Sequence, residues 1–197
     1  MSEREEIRSH ITDSVAASGL AWWHHAALAA LDRDHVIGIW SRDRADLYLL
    51  RFWLTPPRPS DEPGHKWESA DSVLLHYILR PDDATALHDH PWGFTTTVLS
   101  GGYLADMPGQ SWLDDMGDGV HSNAARRRTG PRDRRQVAMP VGDTQTLLAG
   151  DLHAIVRVLP STWTLVRTGD RHAWGWGFHP AGLPWADHAV YLKSRPG

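Results

Sequence analysis

From Val36 onward the chain is a succession of short strand-like runs broken by Gly, Pro and Asp, with no helical stretches alternating between them. That pattern restricts the fold to an antiparallel sandwich or barrel, because parallel strands need crossover connections, usually helices, and none is written here. The runs are residues 36–41, 47–54, 72–80, 86–90, 94–100, 136–140, 144–149, 154–159, 162–168 and 174–179. The first 32 residues read differently. Ser2-x-x-Glu5 fits a capping box, Ile7, Ile11 and Val15 recur at helical spacing, and an alanine-rich helical stretch runs from Leu20 to Leu31 after the break at Gly19. The expected organisation is a helical extension over 1–35 and one β domain over 36–197. His24 and His25 are expected on the helix surface beside packing tryptophans, since adjacent helical positions diverge by about 100°.

Composition excludes several function classes. A formal charge of −4 gives no pull toward nucleic acid or an anionic membrane, and no basic aromatic face is organised. The absence of cysteine removes disulfides, thiolate nucleophiles and Cys-ligated zinc. No apolar run approaches the roughly 20 residues that span a bilayer, and the start, Met1-Ser-Glu-Arg-Glu-Glu6, is charged; a cytoplasmic protein without membrane or nucleic-acid partners is expected. Leu54 to Gly64 reads as a proline-rich loop. Residues 105–135 read as a long insertion, acidic at first (Asp106, Asp114, Asp115, Asp118) and then basic (Arg126, Arg127, Arg128, Arg132, Arg134, Arg135), partly self-neutralising and a candidate lid.

Among 13 histidines, position decides which matter. His88 and His90 are one residue apart, so on a strand they point the same way, and neutral imidazole is the commonest metal ligand. The pair is half of a metal site.

Two motifs then resemble the cupin superfamily. His88, His90 and Gly102 fall in register with Gly-x5-His-x-His-x3-4-Glu-x6-Gly, and Gly142, Gly150 and His153 with Gly-x5-Pro-x-Gly-x2-His-x3-Asn. The resemblance covers about residues 72–179. It extends to a largely uncharacterised bacterial and phage-type cupin group through Leu87-His-Asp-His-Pro-Trp92, Gly101-Gly-Tyr103, the 163–169 segment and Trp176-Gly-Phe-His179. It implies an all-β cupin double-stranded β-helix or jelly roll with the N-terminal helices packed outside, and a divalent metal inside it on His88, His90 and His153. Thr95 stands at the motif's glutamate, Leu148 at its proline and Arg157 at its asparagine; the leading glycine is missing.

Without the glutamate, three neutral imidazoles leave the metal's charge uncompensated, which suits an anionic chelating substrate. This resembles the three-histidine iron dioxygenases, such as thiol dioxygenases, and implies a mononuclear non-haem Fe(II) oxygenase acting on a small polar, anionic molecule. Zn, Mn and Ni are left open by ligand chemistry; a redox-neutral isomerase, lyase or hydrolase, or a non-catalytic small-molecule-binding cupin, are the alternatives. Strand parity gives Arg157 the direction of His153 and Ile155, a clamp for a substrate carboxylate or phosphate, or else a structural ion pair or rim residue. The same argument makes His76 and Arg80 pocket candidates, opposite Val73, Leu75, Tyr77 and Leu79, and turns Thr95 and Thr97 toward the metal and substrate. Trp174, Trp176 and Phe178 share a face read as packing. Tyr103 and His179 are candidates for proton transfer. The resemblance also admits a homodimer.

Overall fold

The computed structural model describes residues 2–40, 46–56, 58–59, 66–67, 71–82, 86–116, 130–171 and 175–194. Two helices come first, α1 (Glu3–Ser18) and α2 (Trp22–Asp32). The capping box forms as expected: the Glu5 amide donates to Ser2 Oγ at 3.3 Å and the Ser2 amide to Glu5 Oε2 at 2.7 Å. Gly19, at φ +79°, ends the helix.

The strands are β1 (Val36–Trp40), β2 (Leu47–Trp53), β3 (Arg58–Pro59), β4 (Lys66–Trp67), β5 (Val73–Ile78), β6 (Leu87–His88), β7 (Trp92–Ser100), β8 (Gly102–Pro108), β9 (Arg134–Pro140), β10 (Thr144–Leu147), β11 (Ala154–Val158), β12 (Thr162–Arg171), β13 (Gly177–His179) and β14 (Ala186–Asp187). Helix α3 (Gln110–Met116) follows β8, and α4 (His188–Ser194) follows β14. All ladders between these strands are antiparallel. One sheet has the order β1-β2-β5-β12-β7-β10; β11-β8-β9 and β14-β13-β6 form smaller sheets, and β3-β4 a short ribbon. The backbone pair His88–His153 stitches β6 to the residue preceding β11. The architecture is the expected all-β double-sheet jelly roll with N-terminal helices.

The large sheet is covered on both faces, which is why β2 and β5 read as near-continuous apolar runs. Outward, Leu50, Phe52, Leu75, Tyr77 and Trp163 pack beneath Ile7, Ile11, Ala27, Ala30 and Leu31 of the helices. Trp163 is fully buried and stacks on Tyr77 with ring centroids 4.5 Å apart. Side chains this size each stabilise the fold by about 1.5–3 kcal/mol on burial. Inward, Leu49, Ile78 and Val98 meet Tyr103, Ala105 and Met139 from the β8-β9 side. The rest of that inward face lines a cavity between the layers.

Two expectations are corrected here. His24 is not a surface residue: it is fully buried, its Nδ1 accepts the Ala21 amide at 3.0 Å, and its Nε2 lies 3.2 Å from Ser14 Oγ. Folding back over the first turn of α2 turns the ring into the helix–sheet interface, while His25 stays exposed. The 105–135 insertion is shorter than expected, because β8 pairs with β9 from Gly102–Pro140 to Pro108–Arg134 and α3 follows. Trp112 of α3 packs against Leu87, Leu152 and Ala154, behind the histidine-bearing strands and away from the cavity. Asp106 pairs with Arg134 at 3.5 Å, part of the expected internal neutralisation. Asp118, Arg126, Arg127, Arg128 and Trp174, with most of the proline-rich loop, lie outside the described residues.

Candidate metal centre

The two histidine motifs are distant in sequence but adjacent in the barrel. The His88 amide donates to the His153 carbonyl at 2.9 Å and the His153 amide returns to the His88 carbonyl at 3.1 Å, so the two residues are a directly opposed, hydrogen-bonded cross-strand pair. Both rings project into the cavity, and their outward neighbours Leu87, Leu152 and Ala154 are buried behind them. His90 completes the group: one ligand atom from each ring lies within 4.8 Å of the other two.

Turns and a buried carboxylate hold this arrangement. Gly150, at φ +88°, takes a conformation that disfavours side chains, and its amide donates to the His90 carbonyl at 3.1 Å, fixing the approach to His153. Asp89, between the two motif histidines, points away from the cavity. Its Oδ1 accepts the Gly177 amide at 2.7 Å and its Oδ2 lies 3.6 Å from His179 Nε2. A Cβ on Gly177 would come within 2.3 Å of the Ala186 carbonyl oxygen, so only glycine fits at that strand crossing.

The donor set fits a divalent metal. Burial pushes His88 down to about 4 from the ordinary 6.5, offset in part by Asp89. Burial, then the neighbouring His88, takes His153 to about 3, and His90 also lies well below its ordinary value, through burial and then His88 and His153. All three are neutral at pH 7, with lone pairs available. The Nδ1 atoms of His88 and His153 are buried without a hydrogen-bond partner.

The cavity holds about 400 Å³. Its wall is largely apolar and aromatic, with Phe94, Trp92 and Trp176 around His90; Trp176 lies parallel to that ring at 6.4 Å. Its polar groups include Arg51, His76, Thr96, Thr164 and Gln145. Arg51 and His76 are directly opposed on β2 and β5, and Arg51 Nε donates to His76 Nε2 at 3.1 Å. Burial and the adjacent guanidinium hold His76 well below its ordinary value, so it is a neutral acceptor. Tyr103 forms part of the wall, with its hydroxyl bonded to Thr96; burial pushes it up to about 12, so it stays protonated.

The structure therefore brings His76 and Tyr103 to the cavity with the three histidines, and places five other expected residues elsewhere. Arg157 is exposed and lies beside Gly102 and Leu159 in a separate groove. A bulge between Ile155 and Arg157 explains the difference: Ile155 lines the cavity, but the extra residue flips the parity beyond it. Thr95 and Thr97 lie on the outer face, their hydroxyls 2.9 and 2.8 Å from those of Thr146 and Thr144. Phe94 and Thr96 face inward instead. The cupin spacing allows the glutamate position to be 94 or 95, and the barrel selects Phe94, whose ring sits 5.2 Å from His90 and 5.8 Å from His153. The carboxylate is thus replaced by an aromatic ring. Arg80 pairs with Asp46 at 3.6 Å outside the cavity. His179 is buried on the Asp89 side, again outside it.

Arg51, Tyr48, Asp82 and Gln145 are cavity residues that strand parity around the motifs missed. Arg51 carried a signal: it is the one charged residue within Leu47-Tyr-Leu-Leu-Arg-Phe-Trp-Leu54, a charge in a run otherwise suited to burial.

Fold and site together define an antiparallel double-sheet barrel with a three-histidine group able to hold a divalent metal. No protein-family model matches the chain, and no curated protein sequence matches it. Among solved structures it is similar to Fe(II)-HppE with the alternative substrate (S)-1-HPP, at 14% identity and a TM-score of 0.40 over 69% of this chain and 56% of that one. It is similar to an oxalate oxidase at 15% identity and a TM-score of 0.41, over 72% of this chain and 60% of that one. The DMSP lyase DddQ from Ruegeria pomeroyi DSS-3 matches at 15% identity and a TM-score of 0.40, over 72% of this chain and 56% of that one. The chain spans little more than half the length of these structures, and the reading of the site rests on its own residues.

Proposed function

We propose that this protein is a metal-dependent enzyme of the cupin type, a mononuclear non-haem Fe(II) oxygenase acting on a small molecule with one anionic group and an apolar remainder. The observation that carries the reading is the cavity itself: three neutral imidazoles converge there, an aromatic ring occupies the carboxylate position, and a guanidinium faces the same space. Iron held by His88, His90 and His153 would supply oxygen chemistry, with coordination positions left open beside the three protein donors.

The remaining residues bind, orient and exclude. Arg51 takes the role that strand parity suggests for Arg157: its Nε donates to His76, and it brings a cation to the cavity wall that would attract a substrate carboxylate. Neutral His76 cannot replace it as a cation, but it holds the guanidinium plane in place. Thr96, Thr164 and Gln145 offer uncharged hydrogen-bonding groups, and Phe94, Trp92 and Trp176 keep the space beside His90 dry. Tyr103 acts as a hydrogen-bond donor rather than as a base.

The test is metal content of protein purified without added metal, followed by oxygen uptake with a panel of small carboxylates. Stoichiometric iron with substrate-dependent oxygen consumption is expected, with Arg51→Met raising KM for the anionic substrate. Stoichiometric zinc with no oxygen uptake under any condition would sink the oxygenase reading in favour of redox-neutral chemistry.

A further inference from the structure

The first cupin motif opens with glycine six residues before its first histidine, and here that position is Asp82. Its side chain is 8% exposed and lines the cavity. The carboxylate is held on two sides: Oδ1 accepts the Tyr48 hydroxyl, and Oδ2 accepts the Ile155 amide at 2.6 Å. The Asp82 amide in turn donates to the Ile155 carbonyl at 2.9 Å, so the residue is locked to β11 two positions beyond His153. From there Oδ2 lies 3.8 Å from His88 Nδ1, a buried nitrogen with no hydrogen-bond partner.

A neutral imidazole has one lone pair and one N–H. If Nε2 of His88 faces a metal, Nδ1 carries the proton, and a buried N–H without an acceptor costs about 1–3 kcal/mol. A ring movement of about 1 Å closes the gap to hydrogen-bond length, and Oδ2 keeps a second lone-pair site for it. Asp89, the nearest carboxylate in sequence, is turned toward Gly177 and His179.

We propose that Asp82 is a positioning residue of the metal centre: its carboxylate, held by Tyr48 and the Ile155 amide, accepts a hydrogen bond from the Nδ1–H of His88, sets that ring's orientation and strengthens it as a donor. This rests on the metal reading above and adds to it a residue that the motif does not supply. The chain has replaced a glycine with an anion that partly offsets the charge left by the missing glutamate.

The experiment is Co(II) titration of the full-length protein by chelator competition, with visible spectra, for wild type and the isosteric D82N. Wild type is expected to bind one Co(II). D82N should bind about 10–100-fold more weakly, with shifted ligand-field bands and an unchanged melting temperature of the metal-free protein. A second measurement does not depend on the variant folding: in zinc-loaded, 15N-histidine-labelled wild type, His88 should show a downfield, exchange-protected Nδ1 proton. Wild-type binding with D82N affinity and spectrum unchanged, or a zinc-loaded protein in which that proton is missing, overturns the proposal alone. Failure of the wild type to bind any metal overturns the metal reading with it.

Discussion

At the position where the cupin motif places its carboxylate, this barrel presents the ring of Phe94, and the neighbouring Thr95 looks outward to Thr146. The difference of one residue has a chemical consequence, because no carboxylate could be restored through Thr95. Phe94→Glu is expected to tighten divalent-metal binding by placing an anion beside His90 and His153, while lowering the stability of the metal-free protein through a buried, unpaired charge. Thr95→Glu should leave metal affinity as it is; isothermal titration of both variants separates the two registers, and a response to Thr95→Glu alone would reverse the assignment. His153→Ala removes a direct donor, so its loss of affinity should exceed the roughly 10–100-fold typical of losing an outer-shell partner. Unchanged metal content by mass spectrometry in that variant would show that the ligand set is wrong. The His88–His90 pair was legible from spacing, and His153 only through the resemblance its motif carries. Arg51 and Asp82 were not, because neither has a local partner in sequence: Arg51 meets His76 across a ladder, and Asp82 meets Tyr48 and Ile155 on two other strands.

The elements were legible wherever a local signal defined them. Ser2 and Glu5 marked the start of α1, and Gly19 its end. The docking of that helical hairpin is a tertiary matter, and it runs through one hydroxyl: Ser14 Oγ accepts Trp163 Nε1 at 2.8 Å and touches His24 Nε2 at 3.2 Å, all three fully buried. Ser14→Ala leaves two buried nitrogens without a partner and should cost about 1–3 kcal/mol. Because this contact lies on the outer face of the large sheet, thermal melts should register the loss while metal affinity holds. A loss of metal binding would mean that the two faces of the sheet are coupled. Element parity is where periodicity fails. The bulge in β11 turns Arg157 out after Ile155 turns in, and nothing in Ala154-Ile-Val-Arg-Val158 announces it. The bulge is visible only in the pairing with β8, where the register shifts between Ile155 and Arg157.

For the molecule as a whole, burying several imidazoles in one cavity ties stability to both protons and metal. The folded chain holds His88 near 4 and His153 near 3, whereas the unfolded chain takes up protons near the ordinary 6.5. The contribution is therefore fully present above about pH 6.5 and is lost as pH falls from there toward about 3, because the unfolded state then binds more protons. Urea melts of the metal-free protein between pH 7 and about 4 should show stability falling across that window; a flat profile would mean the rings are solvated. A divalent metal that binds only the folded state should stabilise it by about 2.7 kcal/mol at 100 times its Kd, a gain that excess chelator abolishes. From the sequence alone came the β-rich class, the capped first helix and the His88–His90 pair, since each is written in periods, caps and spacings of a few residues, with His153 added by the resemblance. The tertiary structure decided which residues share a space: that His88 and His153 are hydrogen-bonded neighbours, that Phe94 closes the carboxylate position, and that Arg51 and Asp82 enter the cavity while Arg157, Arg80 and His179 do not. Those outcomes depend on strand register and on a single bulge, and register is settled only when two faces of a sheet must be buried together.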